Sequence, residues 1–193
     1  MLKSYFNQYR DLMEFRMGGG FTLAPYDPKY MQIDLTSMSL LNDPDTRKFM
    51  TEFSGYDQDA EKRRKAYLVN SYMTMQMGIA FLYTLRLNAG LCCLIKVTSP
   101  SHNIVTNNFD GWLIDYITLP PFRRHKLLKT SIPHILNMMH ENMSVKEVNA
   151  MVDPDNTASV NLLKSLGFSD SGDTNISKNP TTGNTPLLFK KTL

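Results

Sequence analysis

One stretch of the sequence combines a sharp turn with the start of a helix and carries several hydrogen-bonding side chains. It covers residues 152–168 and reads Val-Asp-Pro-Asp-Asn-Thr-Ala-Ser-Val-Asn-Leu-Leu-Lys-Ser-Leu-Gly-Phe. Asp-Pro favours a tight turn after a strand, Asp155 or Asn156 can cap the following helix, and Gly167 can end it. Asn156 and Ser159 can contact a ligand at this helix start or serve only the helix itself, and the residues alone leave both interpretations open.

A basic cluster follows two prolines at a second predicted helix start. Its members are Arg123, Arg124, His125 and Lys126. The first amides of a helix have no partner within the helix, and the helix dipole is positive there, so such a position attracts phosphate groups. The basic side chains add positive charge at the same place. The alternative is a solvated helix start without a ligand.

Asp115 is the candidate for acid–base chemistry. It lies within the apolar run 112–119, and a carboxylate can take part in proton transfer. The alternation of its neighbours does not show which face it occupies, so a solvent-facing or structural aspartate is the competing interpretation. Three histidines are further candidates for proton transfer, although a histidine on a helix surface more often has no role in chemistry. They are His125, His134 and His140.

The elements that must position these residues alternate between helical and strand patterns. Helices are predicted over residues 2–16, twice within 27–53 with a division at Asn42-Asp43-Pro44, and over 59–77, 123–142 and 156–166. Strands are predicted at 21–24, 79–87, 91–97, 112–119, 145–152 and 186–191. Pro133 should kink or split its helix, while the polar stretch 99–110 separates two strands and 169–185 is predicted to be a mobile loop.

This order of elements predicts an α/β or α+β fold with a mixed, largely antiparallel central sheet flanked by helices. The chain has 193 residues, of which 42% are hydrophobic and 20% charged, as in ordinary globular proteins. We expect one domain over residues 21–193, preceded by a helical appendage over 1–20.

Composition also limits the class of partner. The 21 basic and 18 acidic residues leave a formal charge of +3, which does not predict a nucleic-acid partner. Cys92 and Cys93 are adjacent and lack metal-ligand spacing, so we expect reduced thiols and no metal site. The opening residues do not read as a signal peptide, and the most apolar stretch, 78–97, is interrupted by polar residues. The sequence therefore predicts a cytoplasmic protein without a membrane partner.

Two of these segments together resemble a known family. The segment 152–168 is similar to the terminal motif of the GCN5-related N-acetyltransferases, in which D-P-x-N-x-x-S/A precedes a short helix ending in L-G-F. The segment 112–124 resembles that family's central strand, its following proline and the start of its acyl-CoA loop. The use of Ser159, with a helical first half, is similar to the branch that includes the ribosomal-protein N-terminal acetyltransferases. The resemblance is specific over 110–168 and general in layout over 21–109.

The resemblance implies an acyl-CoA N-acyltransferase fold, in which the central strand parts from its neighbour. Its free backbone groups would pair with the pantetheine arm of acetyl-CoA, as a peptide adds to a sheet edge. Ile117, Thr118 and Leu119 would form this edge, and Ile117 and Leu119 would supply the paired groups. The loop expected to wrap the pyrophosphate comprises Arg123, Arg124, His125, Lys126, Leu127 and Leu128.

The implied reaction is the direct attack of a bound primary amine on the thioester, without a covalent enzyme intermediate. Asp115 is then the predicted base, and Asn156 and Ser159 are predicted beside the cofactor. The amine would belong to a small molecule or a protein N-terminus, and it would be selected by the first-half helices and by loops such as 54–57 and 99–110. The sequence leaves open which amine is used and whether the chain forms a homodimer.

The chain departs from the family pattern in two ways. The pattern R/Q-x-x-G-x-G/A requires small residues where this chain has Lys126 and Leu128. Glycine permits a close approach to phosphate, but lysine and leucine can still adopt ordinary helical angles and leave an amide cradle. A tyrosine that the family frequently places in the last helix corresponds to Leu163, so this acid is missing. These departures motivate an alternative function, a non-catalytic binding or regulatory protein with a degenerate acyl-CoA loop.

Overall fold

A computed structural model of the protein describes residues 14–50, 53, 58–107, 110–173, 178 and 182–193. The strands in these ranges are β1 (Phe15–Arg16), β2 (Phe21–Pro25), β3 (Ala80–Leu87), β4 (Gly90–Thr98), β5 (Leu113–Thr118), β6 (Glu147–Val152), β7 (Ser169–Asp170) and β8 (Leu187–Thr192). They form one sheet in the order β1-β2-β3-β4-β5-β6-β8-β7. All neighbours are antiparallel except β5 and β6, which are parallel. The predicted mixed, largely antiparallel sheet is confirmed.

Helices cover both faces of this sheet. They are α1 (Met31–Met38), α2 (Pro44–Phe49), α3 (Gln58–Gln76), α4 (Pro100–Asn107), α5 (Leu127–Met143) and α6 (Thr157–Ser165). The division between α1 and α2 falls where the sequence predicts it, because Asp43 accepts hydrogen bonds from the amides of Asp45 and Thr46 and Pro44 begins the helix.

The two faces of the sheet bury separate apolar cores. The first core packs α5 and α6 on the sheet and includes Ile132, Ile135, Leu136, Met139 and Leu163. The second core packs α1 and α3 on the opposite face and includes Leu35, Met38, Leu68, Leu94 and Ile117. The apolar residues of α5 recur at helical spacing, so one stripe faces the sheet. Each fully buried side chain of this size contributes about 1.5–3 kcal/mol relative to exposure.

A buried ion pair joins α1 to β3. The guanidinium of Arg86 donates to both carboxylate oxygens of Asp34, each at 2.7 Å. The two side chains are 7% and 0% exposed, and the same guanidinium lies 4.3 Å from the centre of the Tyr30 ring. Bidentate geometry and burial make this pair a rigid link between helix and sheet.

Three local predictions need correction. The predicted split at Pro133 is wrong, because α5 runs unbroken across it. Pro133 has no N–H for the carbonyl of Lys129, but both residues are exposed on the solvent side of the helix. Part of the polar stretch 99–110 forms α4, which begins at a proline and is anchored by Asn103, whose side chain donates to the carbonyls of Thr98 and Gly111 at 3.1 and 2.7 Å. The predicted loop 169–185 begins with strand β7, which pairs with the free edge of β8.

The N-terminal prediction is tested only at its end. Phe15 and Arg16 pair with Leu23 and Thr22 as an edge strand, so the helix predicted over 2–16 does not include these two residues. Residues 1–13 lie outside the described part of the chain, and the division between 1–20 and 21–193 stays a prediction. None of the described helices combines the length and apolar character needed to cross a bilayer.

Candidate active site

The parallel strands β5 and β6 touch at one end and part at the other. Their register contains a single pair, Leu113 with Asn149. The Asn149 amide N–H and its side-chain Nδ2 both donate to the Trp112 carbonyl, at 2.8 and 3.1 Å. Beyond this pair β5 stays bonded to β4 as far as Thr118 and has no further partner on β6. We call the space between the parted strands the cleft.

The backbone groups that face the cleft differ from those expected. Leu119 donates its amide hydrogen to the Cys92 carbonyl at 3.0 Å, on the β4 side. Because backbone groups alternate along a strand, those of Ile117 also face β4, whereas those of Tyr116 and Thr118 face the cleft. The prediction that Ile117 and Leu119 supply the open edge is therefore corrected. Of the three residues predicted to form this edge, Ile117, Thr118 and Leu119, only Thr118 has its backbone directed to the cleft.

The loop after β5 reaches helix α5 through two left-handed residues. Arg124 has φ 66° and Lys126 has φ 59°, so Lys126 does not adopt the ordinary helical angles expected for it. The helix begins at Leu127 rather than at residue 123. Lys126 occupies the N-cap and makes no side-chain cap bond, so within the described part of the chain the first amides of α5 have no capping side chain. Leu128 is half-buried and packs against the first core.

This conformation makes a stability prediction. A left-handed backbone costs a non-glycine residue about 1–2 kcal/mol, which glycine avoids. Part of this gain is lost because glycine makes the unfolded chain more flexible. We expect Lys126→Gly to raise the free energy of unfolding by about 0.5–1 kcal/mol, measured by denaturant unfolding. The control Lys129→Gly, in the first turn of α5, should lower it by about 0.5 kcal/mol. Equal losses in both variants would contradict a strained Lys126.

Arg123 is used inside the protein. Its guanidinium donates to both carboxylate oxygens of Asp43 at 2.6 and 3.0 Å, to Thr46 Oγ1 at 3.1 Å and, through Nε, to the Thr118 carbonyl at 3.3 Å. Partial burial by itself raises the pKa of Asp43, but the hydrogen bonds from Arg123 and Thr46 outweigh it and hold that pKa well below its usual range. A contact of Arg123 with a pyrophosphate would have to replace these bonds.

Helix α2 spans the two loops that border the cleft. Its N-terminal end holds the loop after β5 through Asp43 and Arg123. Its other end holds the turn after β6, where Lys48 pairs with Asp155 at 3.0 Å. The exposed Lys48 pair contributes little energy, whereas the half-buried Arg123 pair has the geometry of a strong one. Through these two ion pairs, α2 connects the loop after β5 to the turn after β6.

The turn and helix after β6 follow the predicted pattern closely. Asn156 caps α6 by accepting a hydrogen bond from the Ser159 amide at 3.2 Å, so its capping role is present in the structure. At the other end Gly167 adopts φ 81°, and the Phe168 amide bonds back to the Leu163 carbonyl at 3.0 Å, as in a Schellman motif. Ser159 uses its side chain differently: its Oγ donates to Tyr116 Oη at 3.0 Å.

Tyr116 is the residue that the sequence did not single out. Its side chain packs on the first core, next to α6, while its backbone faces the cleft. Leu163, the position of the expected tyrosine, is 1% exposed and fills the first core. A tyrosine two residues before Thr118 in the motif strand was the available signal, but only the fold shows that it reaches α6.

Asp115 lies on the opposite face of β5. It alternates with Tyr116 and shares its face with Ile117, a member of the second core. Asp115 is exposed, and Lys96 of β4 is its direct cross-strand neighbour. Burial lowers the pKa of Lys96, and the nearby Asp115 charge opposes this effect. An exposed carboxylate in this position can accept a proton from a group that approaches this face of β5.

The remaining candidates divide between surface and structural roles. His125 is exposed in the loop before α5, whereas His134 stacks on Phe15 at 4.0 Å and His140 Nδ1 contacts the Val145 carbonyl at 3.1 Å. Among the described residues no cluster of three or more His, Cys, Asp or Glu is suited to hold a metal ion. The loop 54–57 lies outside the described residues.

Taken together, these features define an acyl-CoA N-acyltransferase fold: a parted parallel pair within a mixed sheet, followed by a helix whose first amides are free. The comparisons agree with this class. Residues 21–169 match the family described as "Acetyltransferase (GNAT) domain". The chain belongs to the GNAT acetyltransferase family, and the predicted resemblance is confirmed.

Solved structures share the fold at low sequence identity. Ribosomal-protein-S5-alanine acetyltransferase from Vibrio fischeri is similar with a TM-score of 0.70 and 11% identity, over 93% of this chain and 96% of that chain. An acetyltransferase from Salmonella typhimurium that modifies the N-terminal serine of L7/L12 has a TM-score of 0.71 and 12% identity, over 93% and 99%. RimJ from Mycobacterium smegmatis, in complex with CoA-disulfide, has a TM-score of 0.66 and 17% identity, over 93% and 85%. The search of curated proteins gave no match.

Proposed function

We propose that this protein is an N-acetyltransferase that transfers the acetyl group of acetyl-CoA to a primary amine. The observation that carries the proposal is the cleft between β5 and β6, whose open edge is formed by Tyr116 and Thr118 and which leads to the free amides at the start of α5. An extended amide chain can pair with the open edge of β5, and a pyrophosphate can bind the amides at the start of α5.

The residues present fit an acyl-CoA. At the closed end of the cleft the buried Asn149 Oδ1 has no hydrogen-bond partner within the described residues, which leaves one acceptor for a ligand. Arg124, His125 and Lys126 are exposed and surround the start of α5, where they add positive charge. Acetyl-CoA supplies the activated acyl group. The protein supplies the edge, the anion site and the groups that handle protons.

The two faces of β5 suit different steps. Asp115, on the α1 and α3 face, is placed to accept the proton of an incoming ammonium group. The Thr118 carbonyl accepts from Arg123 Nε, so it is the Thr118 amide N–H, directed to the cleft, that would hold the pantetheine arm. An amine approaching from one face then meets a thioester held along the strand edge, so alignment accounts for most of the catalytic effect.

For the acceptor we infer a protein N-terminus as the first class to test. Among the structural neighbours, one is described as a ribosomal-protein-S5-alanine acetyltransferase, and another modifies the N-terminal serine of L7/L12. Their likeness in fold supports this choice, while a small-molecule amine is the second class. The same proposal places the protein in the cytoplasm. It includes no nucleic-acid or membrane partner, and a homodimer is compatible with it.

Binding is the first test. Thermal unfolding should be followed with acetyl-CoA, CoA and ADP, because a ligand at about a hundred times its Kd stabilises the native state by about 2.7 kcal/mol. We expect acetyl-CoA to raise Tm more than ADP, since ADP cannot occupy the cleft. No shift at millimolar acetyl-CoA would overturn the proposal.

Transfer is the second test. Peptides with a free N-terminal serine or alanine should release CoA thiol from acetyl-CoA, and the same peptides with a blocked N-terminus are the control. A free polyamine tests the second acceptor class. Two observations motivate the alternative of a binding or regulatory protein. Lys126 is left-handed in a position where the family favours glycine, and Leu128 replaces the second small residue of the pattern. Binding without transfer to any amine would favour that alternative.

A further inference from the structure

One hydrogen bond crosses from β5 to the helix that follows β6. Ser159 Oγ donates to Tyr116 Oη at 3.0 Å. Tyr116 belongs to the strand that borders the cleft on one side, and Ser159 belongs to the first turn of α6, which borders it on the other. The two hydroxyl groups therefore meet beside the cleft, on the α5 and α6 face.

This position matches a chemical need of the reaction. When an amine displaces the thiol of acetyl-CoA, the sulfur leaves as a thiolate and must recover a proton. Leu163 cannot supply one, since it is an apolar side chain buried in the first core. Burial raises the pKa of the Tyr116 phenol to about 12, against the opposing effect of the Ser159 hydrogen bond, so the phenol carries its proton at neutral pH.

We propose that Tyr116 is the catalytic acid that protonates the departing CoA sulfur, and that Ser159 is a positioning residue that holds the phenol and stabilises its oxygen. The inference rests on the proposed function. The amine nitrogen forms the new C–N bond as the C–S bond breaks, and the sulfur takes the proton of Tyr116 Oη. The proton lost by the amine passes by way of Asp115 to solvent, and the phenolate recovers a proton from solvent.

The direction of the hydrogen bond assigns these roles. Because Ser159 donates its hydrogen to Tyr116 Oη, the phenolic hydrogen stays available for another acceptor. A hydrogen bond from Ser159 favours the charged form of the phenol, which is the form that remains after proton transfer. Asn156 fixes this arrangement by binding the Ser159 amide at 3.2 Å.

The first experiment needs no acceptor amine. The thiol pKa of CoA bound to the protein is measured from thiolate absorbance in the ultraviolet, for the wild type, Tyr116→Phe, Ser159→Ala and the control Tyr72→Phe on α3. A phenol that donates to the sulfur stabilises the thiolate, so Tyr116→Phe should raise the pKa of bound CoA thiol by about 1 unit. Tyr72→Phe should leave it unchanged. Phenylalanine keeps the ring, so the first core stays filled.

The second experiment measures turnover. Tyr116→Phe should lower kcat about tenfold with little change in the Kd of CoA, and Ser159→Ala should lower it less. The double variant should be no slower than Tyr116→Phe alone, because the two residues act as one unit. An unchanged thiol pKa in Tyr116→Phe, with CoA still bound, would overturn the inference and leave the proposed function standing. Failure of the wild type to bind CoA would overturn both.

Discussion

Arg86→Ala is expected to lower the free energy of unfolding by about 3–5 kcal/mol, the largest stability effect we predict for a single substitution. The substitution removes both bonds from Arg86 to Asp34 and leaves on α1 an unpaired carboxylate with no exposed surface. An unpaired charge in that position must be hydrated by local unfolding or neutralised by protonation, and either costs stability. The measurement is denaturant unfolding at pH 7.

Two controls separate the buried charge from the loss of a salt bridge as such. Lys62→Ala removes an exposed ion pair to Asp59, and its effect should stay within about 0.5 kcal/mol. The double variant Asp34→Leu, Arg86→Met replaces the pair by apolar groups and should recover most of the stability lost in Arg86→Ala. A loss below about 1 kcal/mol in Arg86→Ala would show that water reaches Asp34 in the folded protein.

The double charge reversal Arg124→Glu, Lys126→Glu is expected to weaken CoA binding by about 30- to 100-fold, measured by calorimetry at physiological salt. Both residues are exposed, and they precede the free amides of α5 that would bind the pyrophosphate. Two glutamates would place negative charge against the phosphates and oppose the positive end of the helix dipole. Glutamate has the same left-handed penalty as lysine, so the comparison isolates charge.

The matched control for this prediction is Lys146→Glu, an exposed residue after the opposite end of α5. It changes the net charge in the same direction, and its effect on CoA affinity should stay within about twofold at physiological salt because of screening. Equal losses in the control and the double variant would indicate only a general charge effect. An unchanged affinity in the double variant would remove the loop from the proposed binding site.

Local signals were sufficient for the elements that border the site. The turn at Asp153, the cap at Asn156 and the stop at Gly167 each depend on neighbours a few residues away, and all appear where the sequence predicts them. The division between α1 and α2 at Asp43 and Pro44 has the same origin. Errors arose where tertiary packing decides, as at Pro133, which a well-packed helix tolerates on its solvent face.

The conformation of the acyl-CoA loop was predicted only in part from the sequence. The sequence showed that small residues are missing, but it did not show that the chain would keep the left-handed backbone that glycine normally provides. Arg123 gives one physical reason: its bonds to Asp43 and Thr118 hold the loop on one side, while Leu127 is buried in the first core on the other. Anchors at both ends can impose a backbone angle that the local residues disfavour.

The sequence by itself therefore determined the family, the mixed sheet and the segments that form the site, because motifs and periodicity report interactions between near neighbours. Only the tertiary structure decided that Tyr116 rather than Ile117 faces the cleft, that Asp115 lies on the other face of β5, and that Arg123 is engaged by Asp43. The contacts that fix Tyr116 and Arg123 come from Ser159 and Asp43, which are 43 and 80 residues away along the chain, and the neighbour of Asp115 is Lys96 on the adjacent strand. Strand register and helix packing bring them together, and neither is encoded in the spacing of adjacent residues.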